Sequence, residues 1–306
     1  MATILGVAIP FFAVLLCGML AARLRLLDTQ GLMGLNSFVF WFALPALLFH
    51  KVATTPFGRL ADPWLYLAYE GSCVILYGLV YLVARLARLA PAQAAICAFA
   101  AAWGNVGYMG VPLLIAAYGE ERALPAVLAV VMDNLVLQSL TIVIVEASLG
   151  ASKGGLRTVA RAVCRNPLIQ AVFAGAVIAF LGWRLPLPVT GFLGLIGAAA
   201  APAALFALGA TLHGAALTSH VGIVAGVTAA KLLLLPLIAF AMVSALPVPA
   251  DLVVPIVVTT ALPTASSVFV IAQRYGILEA PVAAVVFVSH LLGIVTLTVL
   301  LVLLGG

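Results

Sequence analysis

The chain is 306 residues long, 66% of them hydrophobic and only 8% charged, with a net charge of +5 and a mean hydropathy of +1.30. A soluble domain carries about 25% charged residues, and no water-soluble fold hides this much apolar surface, so the solvent is lipid. The bases sit in short loops between apolar runs, as orientation in a membrane requires, which removes nucleic acid as a partner.

In hydrocarbon only helices and closed barrels satisfy their own backbone. The apolar runs are long and do not alternate, which selects helices. At about 20 residues per span, ten spans are predicted, near 3–22, 31–50, 64–87, 92–117, 123–147, 167–183, 188–211, 221–245, 251–273 and 281–304. The first, "MATILGVAIPFFAVLLCGML", has no basic n-region and reads as a span rather than a cleaved signal. From the middle of span four to just past its end runs Trp103 to Gly119, "WGNVGYMGVPLLIAAYG", with an asparagine, four glycines and a proline. The polar stretch 150–166, "GASKGGLRTVARAVCRN", then separates five spans from the next five. Span nine contains a second interruption, "VVTTALPTASSVFVIAQRYG" at 257–276. Cys17, Cys73, Cys97 and Cys164 are scattered without a metal or disulfide spacing and read as small apolar residues.

A shift of 157 residues aligns the two halves without a gap. Pro10 falls on Pro167, Gly18 on Gly175, Gly34 on Gly191, "ALPALLF" (43–49) on "AAPAALF" (200–206), and Tyr118-Gly119 on Tyr275-Gly276. Five is odd, so the second copy enters the membrane from the opposite side. The expected fold is an all-α polytopic membrane protein of ten transmembrane helices, built as two inverted repeats of five (1–149 and 167–306) joined by a cytoplasmic loop at 150–166. With both termini outside, nine bases (Arg23, Arg25, Arg85, Arg88, Lys153, Arg157, Arg161, Arg165 and Arg274) lie inside. Four (Lys51, Arg59, Arg122 and Arg184) lie outside, as the positive-inside rule asks.

The interruptions of spans four and nine fall at equivalent depth. Proline removes a backbone donor and glycine loosens the helix, and freed peptide groups in lipid must face protein or a watery cavity. Two broken, crossing helices are therefore expected near the midplane, with half-helix N-termini that suit a carboxylate. Asn105, Thr264, Ser266 and Ser267 would add hydrogen bonds. The alternative is a pair of ordinary proline kinks with glycine for close packing.

Among the ionisable residues inside predicted spans, five bear on function: Glu70, Asp133, Glu146, Lys231 and His290. Glu70 and Glu146 are near span ends and are expected to reach the interface. Lys231 is mid-span and could snorkel, attract an anion or pair with a carboxylate. Asp133 and His290 are repeat equivalents and both deep, where a charge costs about 2.5–3.5 kcal/mol on the lenient insertion scale. They are expected to face the crossing, and one or both to take up a proton during a cycle; the alternative is hydrogen bonding to helix backbone.

The stretches "NSFVFWFALPALLF", "GNVGYMGVPLLIAAYG" and "ALPTASSVFVIAQRYG" resemble the auxin efflux carrier family, in its bacterial branch, over essentially the whole chain. The resemblance implies ten helices in two inverted repeats, crossing helices four and nine, and export or exchange of small organic anions. Plant members carry auxin, and bacterial members are linked to malonate and malate. It carries over to Asn105, Gly107, Pro112, Pro263 and Thr264, with Tyr108 beside them in the same motif. It also implies a scaffold of spans one, two, six and seven, and a moving unit of the other six. The large hydrophilic loop of many plant members is absent, and the acid itself does not carry over.

The expected function is a secondary transporter of a carboxylate, working by alternating access in the cell's inner or plasma membrane. Asp133, His290 and Lys231 are the candidates for proton or ion coupling. Charge uniport, proton coupling and sodium coupling stay open, with sodium last. An intramembrane enzyme would need paired catalytic groups; the nine acids are dispersed, and His50, His213, His220 and His290 share no such spacing. A channel, a sensor without transport, and a sodium symporter or antiporter of the same architecture are the other rivals. No cofactor or metal is expected. The partners are the organic anion and lipid, and a homodimer is a compatible assembly.

Overall fold

The computed structural model describes residues 2–119, 121–149, 164–212 and 220–304. Most of the expected connecting loop, 150–163, lies outside them. The described residues are helical, in chain order α1 (Ala2–Arg23), α2 (Gln30–Ala53), α3 (Phe57–Leu86), α4 (Pro91–Ala102), α5 (Val106–Tyr118), α6 (Glu121–Ser148) and α7 (Pro167–Phe180). There follow α8 (Leu187–Thr211), α9 (Val221–Ala245), α10 (Ala250–Thr260), α11 (Ser267–Tyr275) and α12 (Glu279–Leu304).

Among the described residues, six helices are long and apolar enough to cross a membrane: α2, α3, α6, α8, α9 and α12. Span four is divided into α4 and α5, and span nine into α10 and α11. At 1.5 Å per residue the 12 residues of α4 and the 11 of α10 reach about 18 and 16 Å, short of a hydrocarbon core of about 30 Å. Large apolar side chains such as Leu20, Phe173, Phe180, Leu195, Leu237 and Leu303 face outward, where lipid rather than water must receive them.

Local irregularities follow the prolines. Segments of π-helix at Val39–Ala43, Val106–Gly110 and Ala230–Leu234 each stop two residues before a proline, namely Pro45, Pro112 and Pro236. A proline has no N–H for the carbonyl four residues back, and a π turn shifts the pairing by one residue. Thus the Leu44 N–H donates to Val39 O and the Leu235 N–H to Ala230 O. A fourth π segment, Asn134–Gln138, has no proline; Ser139 Oγ instead donates to Asn134 O at 3.2 Å.

The chain separates into two compact units. The first holds Met1–Pro63, Val106–Val131 and Cys164–Gly214. Inside it, α1 packs on α8 and α7 on α2 through glycines that let backbones touch. A Cβ on Gly18 would lie 1.9 Å from Phe206 O, and one on Gly209 1.8 Å from Leu15 O. At the other crossing a Cβ on Gly175 would lie 2.9 Å from Phe49 O. Gly18 with Phe206, and Gly175 with Phe49, are the same contact displaced by 157 residues in opposite senses.

The second unit holds Trp64–Asn105, Met132–Val163 and Ala215–Gly306. Its centre is α4, where Ala92 and every residue from Ala94 to Ala102 are buried, the pattern of a helix enclosed on all sides. The expected moving unit of spans three to five and eight to ten differs here. The chain from Val106 to Val131 clusters with the first unit, because α5 packs on α1 and α8 and Gly107 lies beside Val130 and Leu44.

Candidate functional site

The two breaks meet. Helix α4 stops at Ala102, where Trp103 turns to extended backbone (φ −86°, ψ 115°). Helix α10 stops at Thr260, three residues before Pro263, which disfavours helix in the residue ahead of it. Gly104 and Thr264 then form an isolated antiparallel bridge. The Asn105 N–H donates to Pro263 O at 2.8 Å, and the Ala265 N–H donates to Trp103 O at 3.2 Å. Each of these freed N–H groups is therefore spent on a carbonyl of the opposite break, which is how unwound backbone survives away from water.

Thr264 fastens the bridge to its surroundings. It is fully buried; its hydroxyl donates to Ala100 O at 2.9 Å and its N–H donates to Ser289 Oγ at 3.1 Å. Ser289 in turn donates to Val286 O. The sequence singled out Thr264 as a ligand group, but the structure spends both of its donors on the protein. Ser289 was not foreseen, and its position next to His290 was the available signal.

Lys231 does not snorkel. It is fully buried, and its ammonium donates to Ala102 O at 3.4 Å and Thr260 O at 3.3 Å, the last carbonyls of α4 and α10. Asp133 and Cys73 are its electrostatic neighbours.

His290 reaches the crossing from α12. Its Nδ1 lies 2.7 Å from Val286 O, which requires a proton there, so Nε2 accepts from Asn105 Nδ2 at 3.2 Å. This pairing fits the neutral ring with its proton on Nδ1. Asp133 is fully buried on α6, and the Tyr69 hydroxyl lies 3.2 Å from both its carboxylate oxygens. Glu70 and Glu146 are buried. Glu146 accepts from the Tyr275 hydroxyl at 3.0 Å, whereas neither oxygen of Glu70 has a hydrogen-bond partner among the described residues.

The remaining predicted positions divide. Ser266 caps the start of α11 without a side-chain bond and its hydroxyl has no partner among the described residues; Ser267 opens the helix and is exposed. Gly107 and Tyr108 lie in the π turn that begins α5, and Pro112 in the helical turn after it, within the first unit. Asn105, Pro263, Thr264, Ser266, Ser267, Asp133, Lys231 and His290 all lie within the second. A cleft of about 600 Å³ between α9 and α12 is lined by Val224, Leu232, Leu292 and other apolar groups, and by none of the crossing residues. The crossing itself offers an amide, two serine hydroxyls and the positive end of α11, groups that suit an anion.

Comparison with known proteins identifies the family. A family model described as "Membrane transport protein" matches residues 3–301. The chain is 35% identical over 311 residues to a protein of Rhizobium meliloti (strain 1021) named as a candidate malonate transporter, covering 98% of this chain and 96% of that one. It is 26% identical over 307 residues to the uncharacterized transporter YfdV of Escherichia coli (strain K12), covering 95% of each. It is also 27% identical over 254 residues to the lysosomal cholesterol signaling protein of Mus musculus, covering 77% of this chain and 29% of that protein. By this match over nearly its whole length, and with apolar helices long enough to cross a membrane, the chain belongs to the membrane transport protein family of the auxin efflux carriers and is a transmembrane transporter.

Proposed function

We propose that the chain is a secondary carrier of small carboxylates that binds its substrate at the crossing of the two broken spans. The observation that carries this is the backbone bridge between Gly104 and Thr264. It holds the Asn105 side chain and the open end of α11 beside two helix interruptions that lipid alone would not tolerate. In this reading the Asn105 amide, Ser266, Ser267 and the first N–H groups of α11 receive the carboxylate. Pro263 and Thr264 hold the break in shape. Malonate, the solute in the Rhizobium relative's name, is the first acid to try.

The architecture we propose is ten spans in two inverted repeats, 1–149 and 167–306, with both termini outside the cell's plasma or inner membrane and the 150–166 connection cytoplasmic. The displaced contacts Gly18–Phe206 and Gly175–Phe49 support the repeat. The bound acid is exposed to each side in turn by rocking of one part against another. Asp133 and His290 take part in proton movement during that cycle. Exit of one negative charge down 100 mV yields about 2.3 kcal/mol, so potential alone can also drive export.

The test is a thermal-shift panel of mono- and dicarboxylates on purified protein, followed by radiolabelled counterflow in proteoliposomes for each hit. A carrier gives saturable counterflow, and stabilisation by RT ln(1 + [L]/Kd). Absence of counterflow for every stabilising acid ends the carrier reading. The mouse relative's name favours a second reading, a sensor that binds without transport; a melting shift with no counterflow selects it.

A further inference from the structure

Helices α4 and α10 end at the same place. The C-terminus of a helix carries about −0.5 of an elementary charge, so two converging ends present about one full negative charge in a buried site. In carriers built on discontinuous helices, unwound carbonyls and half-helix C-termini of this kind coordinate a transported cation such as Na+. Here the place is taken by a side chain. The Lys231 ammonium lies 3.4 Å from Ala102 O and 3.3 Å from Thr260 O, one contact to each helix end.

Three features build this position. The π segment Ala230–Leu234, set by Pro236, carries Lys231 within its extra-wide turn. Gly104 leaves room beside the ammonium, since a Cβ there would lie 3.1 Å from Nζ. The side chain is fully buried, so the charge is exchanged with neither solvent nor lipid headgroups. An unpaired ammonium at such depth is costly; two helix poles, and Asp133 as electrostatic neighbour, offset that cost.

We infer that Lys231 is a tethered cation occupying the position at which discontinuous-helix carriers hold a co-transported metal ion, so that the crossing is neutralised from within and needs neither Na+ nor K+. Lys231 is thereby a positioning residue: it holds the ends of α4 and α10 together. The inference does not depend on which acid is carried, or on whether one is.

The test reads melting temperature in detergent. Wild type is expected to melt at the same temperature in NaCl, KCl and choline chloride. Lys231→Met, which keeps the volume and removes the charge, is expected to melt several degrees lower in choline and to recover part of the loss as NaCl or KCl is added. Lys231→Ala removes a propylammonium equivalent, and added propylammonium is expected to raise its melting temperature while leaving wild type unmoved. If Lys231→Ala yields no folded protein, the Lys231→Met salt series decides alone. The inference is overturned if Lys231→Met melts with wild type in every salt. It is also overturned if wild type is itself stabilised by Na+ or K+ over choline, or if the cations and propylammonium leave both variants unchanged.

Discussion

Gly18→Ala gives a sharp test of how the first unit is held together. A Cβ at residue 18 would sit 1.9 Å from Phe206 O, roughly 1.1 Å inside the 3.0 Å that real Cβ contacts respect. The obstacle is backbone, so no rotamer relieves it, and α1 must move away from α8. Overpacking of this kind costs typically 1–3 kcal/mol, against a gain of about 0.5–1 kcal/mol when alanine replaces glycine within a helix. The net expectation is a loss of roughly 1–2 kcal/mol. Gly209 meets Leu15 O on the same crossing at 1.8 Å, so Gly209→Ala should cost a similar amount. Once the helices have parted for one methyl the second finds room, so the double variant should cost less than the sum of the two. Gly34→Ala is the control, because nothing lies within 4 Å of its Cβ, and it should be neutral or stabilising. Melting in detergent reads all four proteins. If Gly18→Ala melts at or above wild type, as Gly34→Ala does, the close approach of α1 and α8 is wrong.

Other expectations follow from the crossing. Thr264→Val keeps the shape but strips Ala100 O of its donor, a loss of about 1–3 kcal/mol that Thr264→Ser should largely restore in the same melting assay. Tyr69→Phe removes the hydroxyl facing both oxygens of Asp133 and should lower melting; in Asp133→Asn the same change should cost measurably less, a coupling read by a double-mutant cycle. His290→Ala and Asp133→Asn should each alter the pH dependence of uptake in proteoliposomes, and an unchanged profile in both ends the proton role. In an otherwise cysteine-free protein, Ser267→Cys should react with a water-soluble thiol reagent, because Ser267 is exposed and the proposed carboxylate site must open to water. A bound carboxylate should slow that reaction, and equal rates with and without it would remove the start of α11 from the site.

Much of this was legible in the sequence, for physical reasons. Lipid requires near-continuous apolar helices, so glycine, asparagine and proline at 104–112 and Pro-Thr at 263–264 stood out as breaks. The 157-residue offset paired one break with the other, and Asp133 with His290. The bonding was not legible. Nothing in the spacing says that the Thr264 donors go to Ala100 and Ser289, because those partners lie on separate helices whose rotation only packing fixes. Glu70 and Glu146 were expected to reach the interface because they lie near predicted span ends; that both are buried in the protein, Glu146 against the Tyr275 hydroxyl, was not visible in the spacing. Lys231 was visible as an anomaly, but its role depends on two helix ends converging on it. The π turns were foreseeable in kind, since three of them precede a proline at fixed spacing. The placement of residues 106–131 with the first unit was not, since sequence order alone keeps a broken span in one piece.

The most direct test of the account is an experimental density map of the protein with the carboxylate that raises its melting temperature most. The account predicts density for the acid within hydrogen-bonding reach of the Asn105 amide and the first turn of α11, with Gly104 and Thr264 still bridged. Density for the acid elsewhere, or spans four and nine running unbroken and apart, would contradict it.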